Sequence, residues 1–193
     1  VLSSEISGIC TSATTALAYR ARFEAEPSLK ASGMIKFMGH DFSYRGMLGG
    51  THHAAMSGFG HACSFYGSDT TPVLLFAEKF YGANLANDTV IASVDATEHS
   101  VATSFILTII KHFEVNGSWN GKTLAQYEDM FKVSGLEIKL VAEIIYMHYL
   151  MTVVCPDGIL SLVCDSFDFW AIIQYALPAL KPFILARAGT VVI

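Results

Sequence analysis

Three observations predict an α/β fold with parallel strands. Short apolar runs alternate with helical patterns at least five times along the 193 residues. Three of those runs end in polar turns, at 39–46, 67–70 and 93–100, where parallel folds place their ligands. The hydrophobic share of 52% and mean hydropathy of +0.44 suit strands buried on both faces, or a face covered by a second subunit. The length is enough for one large α/β domain spanning 1–193.

A helix is expected over 5–23, ending near Pro27. Residues 34–42 read as a strand, 52–61 as a short helix, and 62–66 as a second strand that stops at Gly67. Thr71 has the character of an N-cap, with Pro72 at the first helical position and Gly82 as the C-terminal stop. Residues 89–94 give a third strand, followed by a helix from about 97 to 113. A polar loop containing Trp119 spans 116–121, and two helical patterns follow at 123–132 and 136–149. In the second, Ile138, Val141, Ile144, Ile145 and His148 recur at helical spacing, with Lys139 and Glu143 on another face. Residues 158–164 read as a strand and 166–177 as a helix. Residues 182–186 lead into a last strand that reaches Ile193.

Composition excludes some partners. A net charge of −5 with only 12 Lys and Arg leaves no basic stripe, so no nucleic acid is expected. Nor is a membrane expected. The apolar stretch 101–110 falls short of the roughly 20 residues a span needs, and 140–155 is interrupted by Glu143 and His148. Cys10, Cys63, Cys155 and Cys164 are widely spaced and no secretion signal is read, so a reduced, cytoplasmic setting is expected.

The strand ends carry the chemistry. Phe42 can offer a flat face to an aromatic ligand, and Arg45 can clamp a phosphate with its planar fork. Asp69, between a glycine turn and a helix start, can accept hydrogen bonds from an amide or amine. His99 stands in the first turn of a helix, whose positive end suits a neutral imidazole or an adjacent anion. Asp165 is a further carboxylate at a strand end, and Ser161 lies on that strand. Each of these also has a structural alternative: a buried ring, a surface arginine, a helix cap. His52, His53 and His61 do not match a usual zinc spacing, and no metal ligand set is read.

Taken in order, the stretches GHDFSYRGM, AAMSGFGH, GSDT, ASVDATEHS, LSLVCDSFDFW and ILARAGTVVI resemble the type II phosphoribosyltransferases that act on nicotinamide, in the form found in bacteria and phages. The resemblance is carried by residues 34–100 and 158–193. It implies a partial parallel β/α barrel and transfer of a phosphoribosyl group from phosphoribosyl pyrophosphate to nicotinamide, giving nicotinamide mononucleotide and pyrophosphate. It further implies that Phe42 stacks on the nicotinamide ring, that Asp69 holds its amide, and that Ser93, Val94 and Ser161 wall the pocket. Arg45 would contact the pyrophosphate, His99 would be phosphorylated by ATP to stimulate the reaction, and Asp165 would lie near the ribose and magnesium. Mg²⁺ is expected to be held mainly by the pyrophosphate, and a homodimer to share the active site. An acidic Asp69 favours nicotinamide over nicotinate.

The departures are as informative. Residues 101–157 match poorly and are a candidate insertion. An N-terminal region, an Arg-Pro-Asp-Ser-Gly segment after Ile193 and a glycine-rich phosphate loop are missing, so both ends read as edges of a fragment. The alternative function is a non-catalytic module that keeps the fold and dimerises with a fuller partner.

Overall fold

A computed structural model describes Leu2 to Val192. The chain divides into two compact units, Val1–Ser93 and Val94–Ile193.

The first unit is helix-rich. Its long helix α1 (Leu2–Ala25) is followed by α2 (Pro27–Ser32), which ends at Gly33 with φ 69°. Strand β1 (His40–Asp41) leads through a 3₁₀ turn at Ser43–Gly46 to α3 (Gly50–Ala62). Strand β2 (Gly67–Ser68) then precedes α4 (Pro72–Tyr81). Helix α1 lies directly on α3. A Cβ built at Gly60 would stand 2.6 Å from the Ile9 carbonyl oxygen, so only glycine permits this approach. Ala16, Ile35 and Phe65 form a small core beside that contact, with Phe23, Leu29 and Met38 packed against it.

The second unit opens with β3 (Asp95–Ala96) and α5 (His99–Asn116). Helices α6 (Leu124–Phe131) and α7 (Ile138–Tyr149) follow, then β4 (Asp157–Ser161). A short helix α8 (Phe169–Ala171) continues through a π-helical turn at Ile172–Ala176 into α9 (Leu177–Ala186), and β5 (Ala188–Val192) ends the described chain. Pro178 has no N–H to give the Gln174 carbonyl, which accounts for a widened turn just before it. Ile106 and Ile109 of α5, Ile144 and Ile145 of α7, Leu160 of β4 and Ile172 meet in one fully buried core. The stretch 101–157 thus supplies much of this unit's interior.

The α/β class holds. All pairing between the named strands is parallel: β1 with β2, and β3–β4–β5 in that order. Among the described residues these small sheets form no closed barrel.

The strands are shorter than the apolar runs suggest. In 34–42, Ile35–Phe37 coil into a 3₁₀ turn after Gly33, and only His40 and Asp41 pair. In 62–66, α3 runs to Ala62, and the amides of Cys63 and Phe65 turn back to the carbonyls of Phe59 and His61. In 89–94, Ala92 alone bridges to Gly67. The expected strand at 158–164 begins at Asp157 and ends at Ser161.

The helix expected at 166–177 starts at Phe169 and continues past Pro182 to Ala186. Thr71 precedes α4 as expected, but its side chain makes no capping bond; Pro72 and Gly82 (φ 69°) hold the two ends. The last residue of the expected final strand, Ile193, lies outside the described residues. Among the described residues one helical stretch, Phe169–Ala186, is long and apolar enough to cross a membrane by length and composition, and 17% of it is buried within the structure.

Candidate active site

The eight candidate residues fall into two groups, one in each unit. Phe42, Arg45, Asp69 and Ser93 belong to the first; Val94, His99, Ser161 and Asp165 belong to the second.

In the first unit Asp41 organises the strand ends. Its Oδ2 accepts from Thr70 Oγ1 at 2.6 Å and from Ser68 Oγ at 3.4 Å, and its Oδ1 accepts from the Ser43 amide at 3.0 Å. Burial would raise its pKa, but the hydrogen bonds from Thr70 and Ser43 outweigh that and hold the carboxyl below the usual range. Asp41 also accepts the Asp69 amide on its carbonyl oxygen at 3.0 Å. One residue therefore fixes both the turn that carries Phe42 and Arg45 and the segment that carries Asp69.

Phe42, Tyr44, Arg45 and Asp69 line one cleft of about 320 Å³, at the lower end of the range for small-molecule sites. Phe42 is 52% exposed and stacks on the His40 ring, with centroids 4.3 Å apart and planes 25° from parallel. Phe42 follows β1 directly, and the extended Asp41 between them turns the His40 and Phe42 side chains to one side. His40 Nε2 also lies 3.2 Å from Asp69 Oδ2, an ion-pair distance when the imidazole is protonated. Asp69 Oδ1 accepts the Ser93 hydroxyl at 2.5 Å. A carboxylate offers about four lone-pair sites, so Asp69 keeps accepting capacity for a ligand amide.

In the second unit His99 is the first residue of α5. Glu98 caps that helix, its Oε2 accepting the Ser100 amide at 2.9 Å and the Val101 amide at 3.3 Å. His99 Nε2 lies 2.7 Å from Asp165 Oδ1, and the two side chains are 62% and 60% exposed. A carboxylate can only accept, so this bond keeps a proton on Nε2 and leaves Nδ1 as the basic ring nitrogen of the neutral imidazole. Thr97 steadies the same corner: its amide donates to the Ser161 carbonyl at 3.0 Å, and its hydroxyl accepts the Val163 amide at 2.7 Å. Ser161 pairs with Ala96 across the sheet and is partly buried, as is Val94.

The structure thus joins Phe42, Arg45 and Asp69 in one cleft, bonds Ser93 to Asp69, and bonds His99 to Asp165. The residue reading passed over His40, Tyr44 and Asp41, which sit inside the motif that carried Phe42 and Arg45. The two-residue strand period was the signal that would have placed His40 beside Phe42. Among the described residues no three His, Cys, Asp or Glu side chains gather as a metal site.

No family model matches the chain. A nicotinamide phosphoribosyltransferase from Acinetobacter baylyi is 33% identical over 190 residues, which is 97% of this chain and 30% of that protein. A second nicotinamide phosphoribosyltransferase, from Xanthomonas campestris pv. campestris, is 29% identical over 162 residues, 83% of this chain and 27% of its own length. The chain therefore spans less than a third of the length of the curated relatives it matches. The resemblance carried by the strand-end motifs extends along nearly the whole chain, which is similar to one segment of the nicotinamide phosphoribosyltransferases.

Proposed function

We propose that this chain carries part of the active site of an enzyme of NAD salvage. The enzyme joins nicotinamide to phosphoribosyl pyrophosphate, releasing nicotinamide mononucleotide and pyrophosphate. The observation that carries this reading is the cleft in which an exposed aromatic ring, an arginine and a carboxylate converge. Phe42 would stack on the pyridine ring, and Asp69, steadied by Ser93, would accept the ligand's amide N–H. Arg45 would hold the leaving pyrophosphate.

In this reaction the bond from ribose C1′ to the pyrophosphate oxygen breaks, and the pyridine nitrogen forms its bond to the same carbon. The ribose becomes cationic on the way, so positioning and charge complementarity supply most of the acceleration. A Mg²⁺ ion held mainly by the pyrophosphate would neutralise its charge as it leaves.

His99 would take the γ-phosphoryl group of ATP on Nδ1, with the bond to the β-phosphate oxygen breaking and ADP leaving. Asp165 would hold the ring during that transfer. We place the enzyme in the cytoplasm as a homodimer that shares its site. Exposed apolar side chains such as Trp170 (75%) and Leu185 (73%) favour a covered face.

Formation of the mononucleotide from nicotinamide, phosphoribosyl pyrophosphate, Mg²⁺ and ATP tests the reading. Product is expected from the purified protein and not from its Asp69→Ala variant. A folded protein that pairs with a fuller partner but forms no product and binds no nicotinamide would defeat this reading and favour the non-catalytic module.

A further inference from the structure

Glu143 takes no part in the reading above. It stands midway along α7, 1% exposed, between Ala142 and Ile144, which are fully buried. Neither of its carboxyl oxygens has a hydrogen-bond partner, and neither is open to water. A buried acid normally has its lone pairs filled by donors, and this one lacks them. Burial, and then the charge of Asp165, push its pKa up to about 7 against the effect of the Ser166 amide.

The same side chain lines a cleft of about 310 Å³ within the second unit, a volume at the lower end of the range for small-molecule sites. Glu137, Lys139, Phe167, Asp168 and Tyr175 are the exposed members of that lining, so Glu143 marks its inner end. Three carboxyl groups thus share the cleft with one ammonium. Asp168 spends Oδ1 on the Ala171 amide at 3.0 Å, capping α8, whereas Glu137 precedes α7 without a side-chain capping bond. Lys139 lies one turn before Glu143 on α7, yet its ammonium stands 5.8 Å from the centroid of the Phe167 ring. The ring already faces a cation, and the buried carboxyl has none bonded to it.

We propose that this cleft binds a small organic cation of the guanidinium or amidinium class, which displaces the Lys139 ammonium from Phe167 and donates two parallel N–H bonds to the Glu143 carboxylate. Two unpartnered oxygens on one carboxylate match the fork of such a cation, which pairs with carboxylates bidentately. The flat group is weakly hydrated and stacks on aromatic faces, which suits a buried acid beside Phe167 and Tyr175. Leu136 and Leu140, in the same lining, would pack on a short alkyl body. Nothing in this site depends on the proposed transfer reaction.

Calorimetric titration of butylguanidinium into the full chain at pH 8, where Glu143 is ionised, tests this, with the ring-proton shifts of Phe167 and Tyr175 locating the ligand. Binding to wild type is expected, with both rings shifting. Butylurea, which has the same shape without the charge, is expected to bind about tenfold more weakly or less. Glu143→Gln is expected to lose about tenfold in affinity, the worth of a hydrogen bond to a charged group, while Asp69→Asn keeps the wild-type value. No binding to wild type, equal affinity for butylurea, or equal affinity in Glu143→Gln would each overturn the proposal. So would binding lost in Asp69→Asn and kept in Glu143→Gln, which would put the cation beside Phe42 instead. If Glu143→Gln does not fold, Tyr175→Ala replaces it at an exposed position, with weakened binding expected and equal affinity fatal.

Discussion

The Ser93 hydroxyl donates to Asp69 Oδ1 at 2.5 Å, fixing one carboxylate oxygen while the other lies beside His40. A carboxylate so held favours a ligand that donates. A nicotinate carboxylate about 4 Å from Asp69 would be repelled by about 4 kcal/mol at an effective dielectric of 20, whereas the nicotinamide N–H gains a hydrogen bond. Asp69→Asn should shrink the preference for nicotinamide over nicotinate by at least tenfold in kcat/KM. Ser93→Ala should raise the KM for nicotinamide by about fivefold, the worth of one hydrogen bond near 1 kcal/mol. Competition kinetics with the two pyridines checks both.

Glu143 should leave its mark on stability as a function of pH. Folding raises its pKa from 4.5 to about 7, so the folded chain keeps a proton that the unfolded chain has already lost. Stability should therefore fall as pH rises from about 4.5 to 7, by on the order of 3 kcal/mol, and then level off. Glu143→Gln cannot ionise and escapes that loss. Burial lowers the pKa of His61 and His148, which acts in the opposite sense, but it does so in both proteins and cancels in the comparison. Urea unfolding should show the Glu143→Gln advantage widening across this window; a pH-independent offset would contradict it.

Arg187 ties the starts of β4 and β5 together. Its guanidinium donates to the carbonyls of Cys155 (2.8 and 3.1 Å), Gly158 (2.6 Å), Thr190 (3.2 Å) and Asp157. No other side chain offers five donors in a rigid fork. Arg187→Ala should cost about 2–4 kcal/mol in urea unfolding, with Arg187→Lys recovering less than half. A loss below about 0.5 kcal/mol in Arg187→Ala, the range of an ordinary surface change, would contradict this account.

His99→Ala should abolish ATP stimulation of product formation while sparing slower ATP-independent turnover. Equal stimulation in variant and wild type would remove His99 from the reaction.

Local chemistry was legible in the sequence wherever a short stretch decides the structure. Pro72 and Gly82 bracket α4 because one lacks an amide hydrogen and the other tolerates a positive φ. The strand ends at 39–46 and 67–70 were legible for the same reason, and with them Phe42, Arg45 and Asp69. Strand length was not, because pairing depends on which neighbour lies alongside. Met34 to Phe37 are apolar enough for a strand, yet they curl after Gly33, and only His40 and Asp41 find a partner.

Burial was misjudged for a related reason. Helical spacing set Glu143 apart from the apolar face of α7, but packing closes around every residue from Val141 to Met147. A helix enclosed on all sides has no polar face, and one sequence does not reveal that enclosure.

The measurement that bears most directly on the central claim is calorimetric titration of nicotinamide into wild type and Phe42→Ala. The ring is half exposed beside Asp69, and a stacked base on an aromatic side chain is worth about 1–3 kcal/mol. Wild type should bind nicotinamide, and Phe42→Ala should bind it at least tenfold more weakly with its fold intact. Equal affinity in the two proteins would show that the cleft of Phe42, Arg45 and Asp69 is not the nicotinamide site.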